Sequence, residues 1–220
     1  MQELTRTLVC FGDSNTHGTA PMVNIDDARR FAPHERWTGI LARDLGSGWH
    51  VHEEGLPGRT TVHPDPIEGE HLSGLAALPI ILGTHSPIDA MVLMLGTNDL
   101  KARFALRPSD IAGGVERLLV TMRMLCHRSG GVTPRVLLVA PPPVREVGCL
   151  ADMFAGGRAK SEEFAGYLAR VAERHRTGFL DTGAHISSSE VDGVHFDLDQ
   201  QSRLAEAIRE RLLAIVPLLS

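Results

Sequence analysis

Short apolar runs separated by helical patterns constrain this chain more than any other feature. Uninterrupted runs occupy residues 7–11, 88–95, 136–140 and, more briefly, 178–180, as expected of strands buried on both faces in a parallel sheet. Residues 49–53 alternate instead and make a fifth candidate strand. Between the runs, Trp37, Ile40, Leu41 and Leu45 precede Gly46 at helical spacing. Ile111, Val115, Leu118, Met122 and Leu125 follow the start signal Pro108-Ser109-Asp110, and a last helix carries Leu204, Ile208, Leu212 and Ile215. Strands that alternate with helices pair in parallel through right-handed crossovers. The predicted fold is therefore α/β, a three-layer α/β/α sandwich around a central five-stranded parallel sheet.

No internal repeat, charge run or Gly/Ser linker divides the 220 residues, so one domain spanning 1–220 is expected. Two segments are less legible. Residues 19–34 contain Pro, Asp and Arg, and residues 57–87 mix turns with Leu72, Leu75, Leu78, Ile80 and Ile81, which predicts that part of the second is helical. Loops of such length often act as covers or contact surfaces.

A net charge of -5 provides no electrostatic footprint for nucleic acid. The first residues hold too few consecutive apolar side chains for a signal-peptide core, and no stretch approaches the roughly 18 of a membrane span. A cytoplasmic location is expected unless an export signal preceded residue 1. Cys10, Cys126 and Cys149 are odd in number and lack paired short spacing, which fits reduced structural cysteines rather than a disulfide framework or zinc knuckle.

In open parallel sheets ligands bind beyond the carboxyl ends of the strands, and the unusual residues fall there. Gly12-Asp13-Ser14-Asn15 follows the first strand, Gly55-Leu56-Pro57-Gly58 the second, Gly96-Thr97-Asn98-Asp99 the third and Pro141-Pro142-Pro143 the fourth. Asp192-Gly193-Val194-His195 lies beyond the fifth. A serine nucleophile needs an imidazole to take its proton and a carboxylate to fix the imidazole's tautomer, which a short turn carrying Asp192 and His195 can supply. Acyl transfer also needs donors for an oxyanion. Asn98 can offer a side-chain amide, and Gly58 or Gly55 a backbone N–H, whereas Pro57 has none. Each motif alone is equally well explained as a turn or cap; their joint occurrence in this order is not.

Taken together, GDSN, GLPGRTT, GTND and DGVH resemble the block pattern of the SGNH (GDSL-like) hydrolases, from Phe11 to His195. The resemblance implies a flavodoxin-like fold with Ser14 as nucleophile, Asp192 and His195 completing a triad, and Ser14 N–H, Gly58 N–H and Asn98 forming the oxyanion hole. RFAPHERWTG, EEGLPGRTT, MLGTNDLK and VAPPP look like the arylesterase and acyltransferase subgroup, whose members cleave short-chain and aryl esters. Some pass the acyl group to alcohols or hydrogen peroxide, and several assemble as octamers. By that likeness a homo-oligomer is expected, and a carbohydrate O-acetyl esterase on the same fold is the alternative activity. Asn15 stands where the generic motif has Leu, which bears on pocket polarity. Position next to the motifs makes Asn15, His17, Lys101, Phe154 and Val194 candidates for the substrate pocket.

Other chemistries find less support. His50 and His52 share a strand face, and His63 and His71 lie in a long loop, but no His-Glu-x-x-His or paired-cysteine motif accompanies them. No glycine-rich phosphate cradle is present, so neither metal nor nucleotide cofactor is expected. A non-catalytic scaffold would not need Ser14, Asn98, Asp192 and His195 together.

Overall fold

The structure, a computed structural model, describes residues 5–216. Its strands are β1 (Arg6–Gly12), β2 (Trp49–Gly55), β3 (Ala90–Met94), β4 (Arg135–Ala140) and β5 (Gly178–Asp181). They form one parallel sheet in the order β2-β1-β3-β4-β5. The helices are α1 (Ser14–His17), α2 (Trp37–Leu45), α3 (Gly74–His85), α4 (Pro108–Arg128), α5 (Gly157–His175) and α6 (Leu198–Ile215).

The two-residue alternation of a strand builds two cores. Val9 and Phe11 of β1 face one side with Met91, Leu93, Leu138 and Ala140, where α3, α4 and α5 cover them with Leu78, Val115, Leu118, Phe164 and Leu168. Leu8 and Cys10 face the other side with Val92, Met94, Leu137 and Val139, beneath Trp37 and Leu41 of α2 and Leu204, Ile208 and Leu212 of α6. Full burial of a side chain of this kind contributes roughly 1.5–3 kcal/mol. The sheet is thus apolar on both faces, as the uninterrupted runs required. Pro108 occupies the first turn of α4, and the Asp110 carboxylate accepts the Arg107 N–H at 3.1 Å, which starts that helix where the sequence indicated.

The strands lie within about two residues of their sequence positions, and part of 57–87 is helical as α3. Helix α5 is an addition. Its buried face is Phe164, Leu168, Val171 and Ala172, a helical spacing obscured by the charged residues around it. Residues 19–34 form neither helix nor strand beyond one bridge between Thr19 and Arg30. Among the described residues no helix is long and apolar enough to cross a membrane.

The strand order reverses between β1 and β3, whose ends align at Gly12 and Met94. At such a switch point the following loops diverge and leave a crevice. The loops after β1 and β3 carry Ser14 and Asn98.

Candidate active site

The turn that carries Ser14 follows from close packing. A Cβ on Gly12 would lie 2.0 Å from Thr16 Oγ1 and 2.8 Å from the Met94 carbonyl oxygen, so only glycine lets β1 pass into α1 here. Asp13 caps α1, its Oδ1 accepting the Asn15 N–H at 3.0 Å. Ser14 is consequently the first residue of α1. Its N–H donates to no other group among the described residues.

His195 Nε2 stands 3.0 Å from Ser14 Oγ, and His195 Nδ1 stands 2.7 Å from Asp192 Oδ2. The three side chains thus form one hydrogen-bonded line although Ser14 and His195 are far apart in sequence. Asp192 is fully buried and Ser14 and His195 nearly so. Asp192 Oδ1 accepts the N–H groups of Val194 and His195, both at 2.9 Å, and Oδ2 also accepts the Met22 N–H at 2.7 Å. Burial alone would push the Asp192 carboxyl up. The bond and charge of His195, with the Met22 and Val194 N–H groups, outweigh it and hold the pKa below the ordinary carboxylate value. Gly193, at φ +77°, supplies the left-handed turn between Asp192 and His195; a Cβ there would meet the Arg145 carbonyl oxygen at 2.0 Å.

Two further candidate donors lie in the loops that follow β2 and β3. The Gly58 N–H has no acceptor among the described residues. Gly55, the other backbone candidate, is instead the last residue of β2, paired with Gly12. Asn98 Nδ2 donates one hydrogen to the Arg59 carbonyl at 3.1 Å, which leaves its second amide hydrogen free. The loops of these donors are joined by Asp99, whose Oδ2 accepts the Thr61 N–H at 2.9 Å.

The remaining sequence candidates divide. Asn15 is turned inward. It is 2% exposed, and its Nδ2 donates to the Val194 carbonyl at 3.2 Å, tying the nucleophile turn to the histidine turn. His17 is partly exposed with Nδ1 3.2 Å from Thr19 Oγ1, and burial together with the charges of Arg30 and Arg36 lowers its pKa. Phe154 and Val194 belong to the apolar core beside Val144 and Leu150. Lys101 is buried in an ion cluster, 2.7 Å from Glu68 Oε2 and 3.6 Å from Asp65 Oδ2, with Arg103 bridging the same two carboxylates. Its ammonium is therefore committed to protein groups.

Sequence reasoning did not find Met22, Arg59, Asp65 or Glu68. Met22 acts through its main chain, which no side-chain pattern reveals; Glu68 and Asp65 become partners of Lys101 only once the chain folds.

Among the described residues no three His, Cys, Asp or Glu side chains converge as a metal site would require. His50 and His52 lie on the edge strand β2 with ring centroids 4.4 Å apart, and His52 stacks 3.9 Å from His85, whose Nε2 meets Glu54 Oε1 at 2.6 Å. A groove of about 1020 Å³ at the opposite, amino-terminal end of the sheet is lined by Pro79, Pro87, Asp89 and Arg135 and holds none of the serine, histidine and aspartate line.

A doubly wound parallel sheet that carries this line at its carboxyl edge defines a class, the SGNH-type hydrolases. The chain belongs to the GDSL-like lipase/acylhydrolase family, whose pattern matches residues 10–204. Among solved structures it is similar to Est24, a carbohydrate acetylesterase from Sinorhizobium meliloti, at 37% identity and TM-score 0.91 over 96% of this chain and 99% of that one. It is equally similar to an aryl esterase from M. smegmatis, at 38% identity and TM-score 0.91 over 96% of this chain and 100% of that one. A further carbohydrate acetylesterase family member from Sinorhizobium meliloti matches at 32% identity and TM-score 0.89 over 97% and 100%. No curated protein matches the sequence.

Proposed function

We propose that this esterase hydrolyses short-chain and aryl carboxylic esters through an acyl-enzyme on Ser14. The observation that carries the reading is the 3.0 Å contact between Ser14 Oγ and His195 Nε2, in line with Asp192. His195 takes the hydroxyl proton as Ser14 Oγ attacks the ester carbonyl carbon. The oxyanion that forms is held by the N–H groups of Ser14 and Gly58 and the Asn98 amide, each worth roughly 3–4 kcal/mol in the transition state. Collapse of the intermediate breaks the bond to the leaving alcohol, which receives the proton from His195. Water, activated by the same imidazole, then releases the acid. Asp192 stays ionised throughout and stabilises the imidazolium.

An alcohol or hydrogen peroxide that reaches the acyl-enzyme before water forms a new ester or a peracid, so acyl transfer belongs to the same proposal. Similarity to Est24 favours a second substrate class, acetyl esters of carbohydrates. Self-association beyond a dimer belongs to the same reading, on the likeness of the sequence to the arylesterase and acyltransferase subgroup. Three unpaired cysteines support a cytoplasmic setting.

Turnover of p-nitrophenyl acetate by the parent chain and by Ser14→Ala, with and without a competing alcohol, tests the proposal. Activity confined to the parent, with a new ester in the presence of alcohol, is the expected result. Equal activity in both chains, or none in either, removes it. Light scattering tests the assembly, and a monomer mass refutes it.

A further inference from the structure

The three donors assigned to the oxyanion come from three separate segments of chain, and one residue touches all of them. Arg59 is only 5% exposed. Its Nη1 donates to the Gly12 carbonyl at 2.8 Å and also to the Glu54 carbonyl, so a single nitrogen pins the end of β1, two residues before Ser14, to the end of β2. Its main-chain N–H donates to the Leu56 carbonyl at 3.1 Å and closes the turn that presents Gly58. Its own carbonyl accepts one hydrogen of Asn98 Nδ2 at 3.1 Å, which fixes where the other hydrogen points.

The energetics of this side chain ask for a reason beyond stability. Among the described residues no carboxylate lies within salt-bridge distance of the guanidinium, Nε has no hydrogen-bond partner, and the group rests over the Phe11 ring at 4.6 Å. Burial lowers its pKa to about 10, against the opposing charges of Glu54 and Asp13. A cation withdrawn from water without a paired anion is costly, and an apolar side chain would cover Phe11 at less expense to the fold. What an apolar side chain could not do is donate to the carbonyls of Gly12 and Glu54, where the paired ends of β1 and β2 run into their loops.

We propose that Arg59 is the positioning residue of the oxyanion hole, its side chain aligning the Ser14 turn with the segment whose main chain sets the Gly58 and Asn98 donors. The proposal rests on the serine esterase reading above. Displacement of a donor by about 1 Å can cost on the order of 100-fold in rate, and because the oxyanion exists only in the transition state the loss falls on kcat rather than KM.

The test uses the full chain with Arg59→Lys and Arg59→Met, p-nitrophenyl acetate as substrate and an arylboronic acid, whose tetrahedral serine adduct places an oxygen where the oxyanion forms. Arg59→Lys is expected to lower kcat by about 10- to 100-fold with KM within about 3-fold. Boronic acid affinity should fall by the same factor as kcat, with the midpoint of the pH profile unmoved. A purely structural role would not make these two losses track each other. Folded variants that keep parental kcat overturn the proposal, as does a fall in kcat without a matching loss of boronic acid affinity. If Arg59→Met does not fold, Arg59→Lys decides by the same criteria. A parent chain that neither turns over the ester nor binds the boronic acid removes the esterase reading itself, an outcome distinct from the other two.

Discussion

Replacing Asp13 with Asn should stabilise the protein at neutral pH and not at acid pH. The Asp13 side chain is 1% exposed, and although Oδ1 caps α1, Oδ2 has no hydrogen-bond partner. Burial raises its pKa from 3.8 to about 6, against the opposing effects of the Asn15 N–H, the His195 charge, the Thr97 side chain and Arg59. An unfolded aspartate titrates near 3.8, so between about pH 4 and about pH 6 the folded chain binds more protons than the unfolded one. Stability from this group is therefore present at acid pH, falls as pH rises through that window, and stays lower above it. At about 1.4 kcal/mol per pH unit, the interval from 3.8 to about 6 corresponds to a deficit on the order of 3 kcal/mol. Asparagine keeps an oxygen for the cap and removes the charge. The gain for Asp13→Asn at about pH 8 should be roughly 1–3 kcal/mol, the lower figure allowing for an amide NH2 left without a partner. Urea unfolding of both chains from about pH 4 to pH 8 measures it. A stability difference that does not grow with pH across that window, or a variant less stable at pH 8, refutes the reasoning.

Three other substitutions probe the site and its frame. Asp192→Asn should lower kcat by up to about 10⁴-fold, because the amide holds His195 in the wrong tautomer; a loss under about 10-fold in ester turnover would show that the carboxylate does not set it. Gly193→Ala forces a Cβ against the Arg145 carbonyl at a left-handed backbone position and should displace His195, seen as a loss of activity well beyond any loss of thermal stability. An active Gly193→Ala would mean that the turn has freedom the structure does not show. Lys101→Met strands Glu68 and the buried Asp65 with Arg103 alone and should cost about 2–4 kcal/mol in urea unfolding; an unchanged midpoint would mean that the ion cluster contributes little.

The strands and the motifs at their carboxyl ends were legible because both are local. A run such as residues 7–11 states its burial in its own composition, and Ser14, Asn98 and His195 sit in short motifs that end strands or follow them. Helix α5 was hidden because its apolar stripe is only a few residues wide against a charged background. Lys101 was named only for its place beside a motif, and its ion cluster was hidden because only folding brings Glu68 and Asp65 to it. The bond from Asn15 to the Val194 carbonyl was hidden because its partner lies at the other end of the chain. The same distance concealed the Met22 N–H on Asp192 and the reach of Arg59. Contacts made through main-chain atoms across long sequence separations leave no residue-type signature.

Trapping the acyl group tests the central claim most directly. The protein is mixed with a fluorophosphonate or a slowly turned-over aryl ester, digested, and the adduct located by mass spectrometry. The account requires the added mass on the peptide carrying Ser14, in the parent chain and absent from Ser14→Ala. An adduct on another residue, or ester turnover with Ser14 unmodified and dispensable, would contradict it.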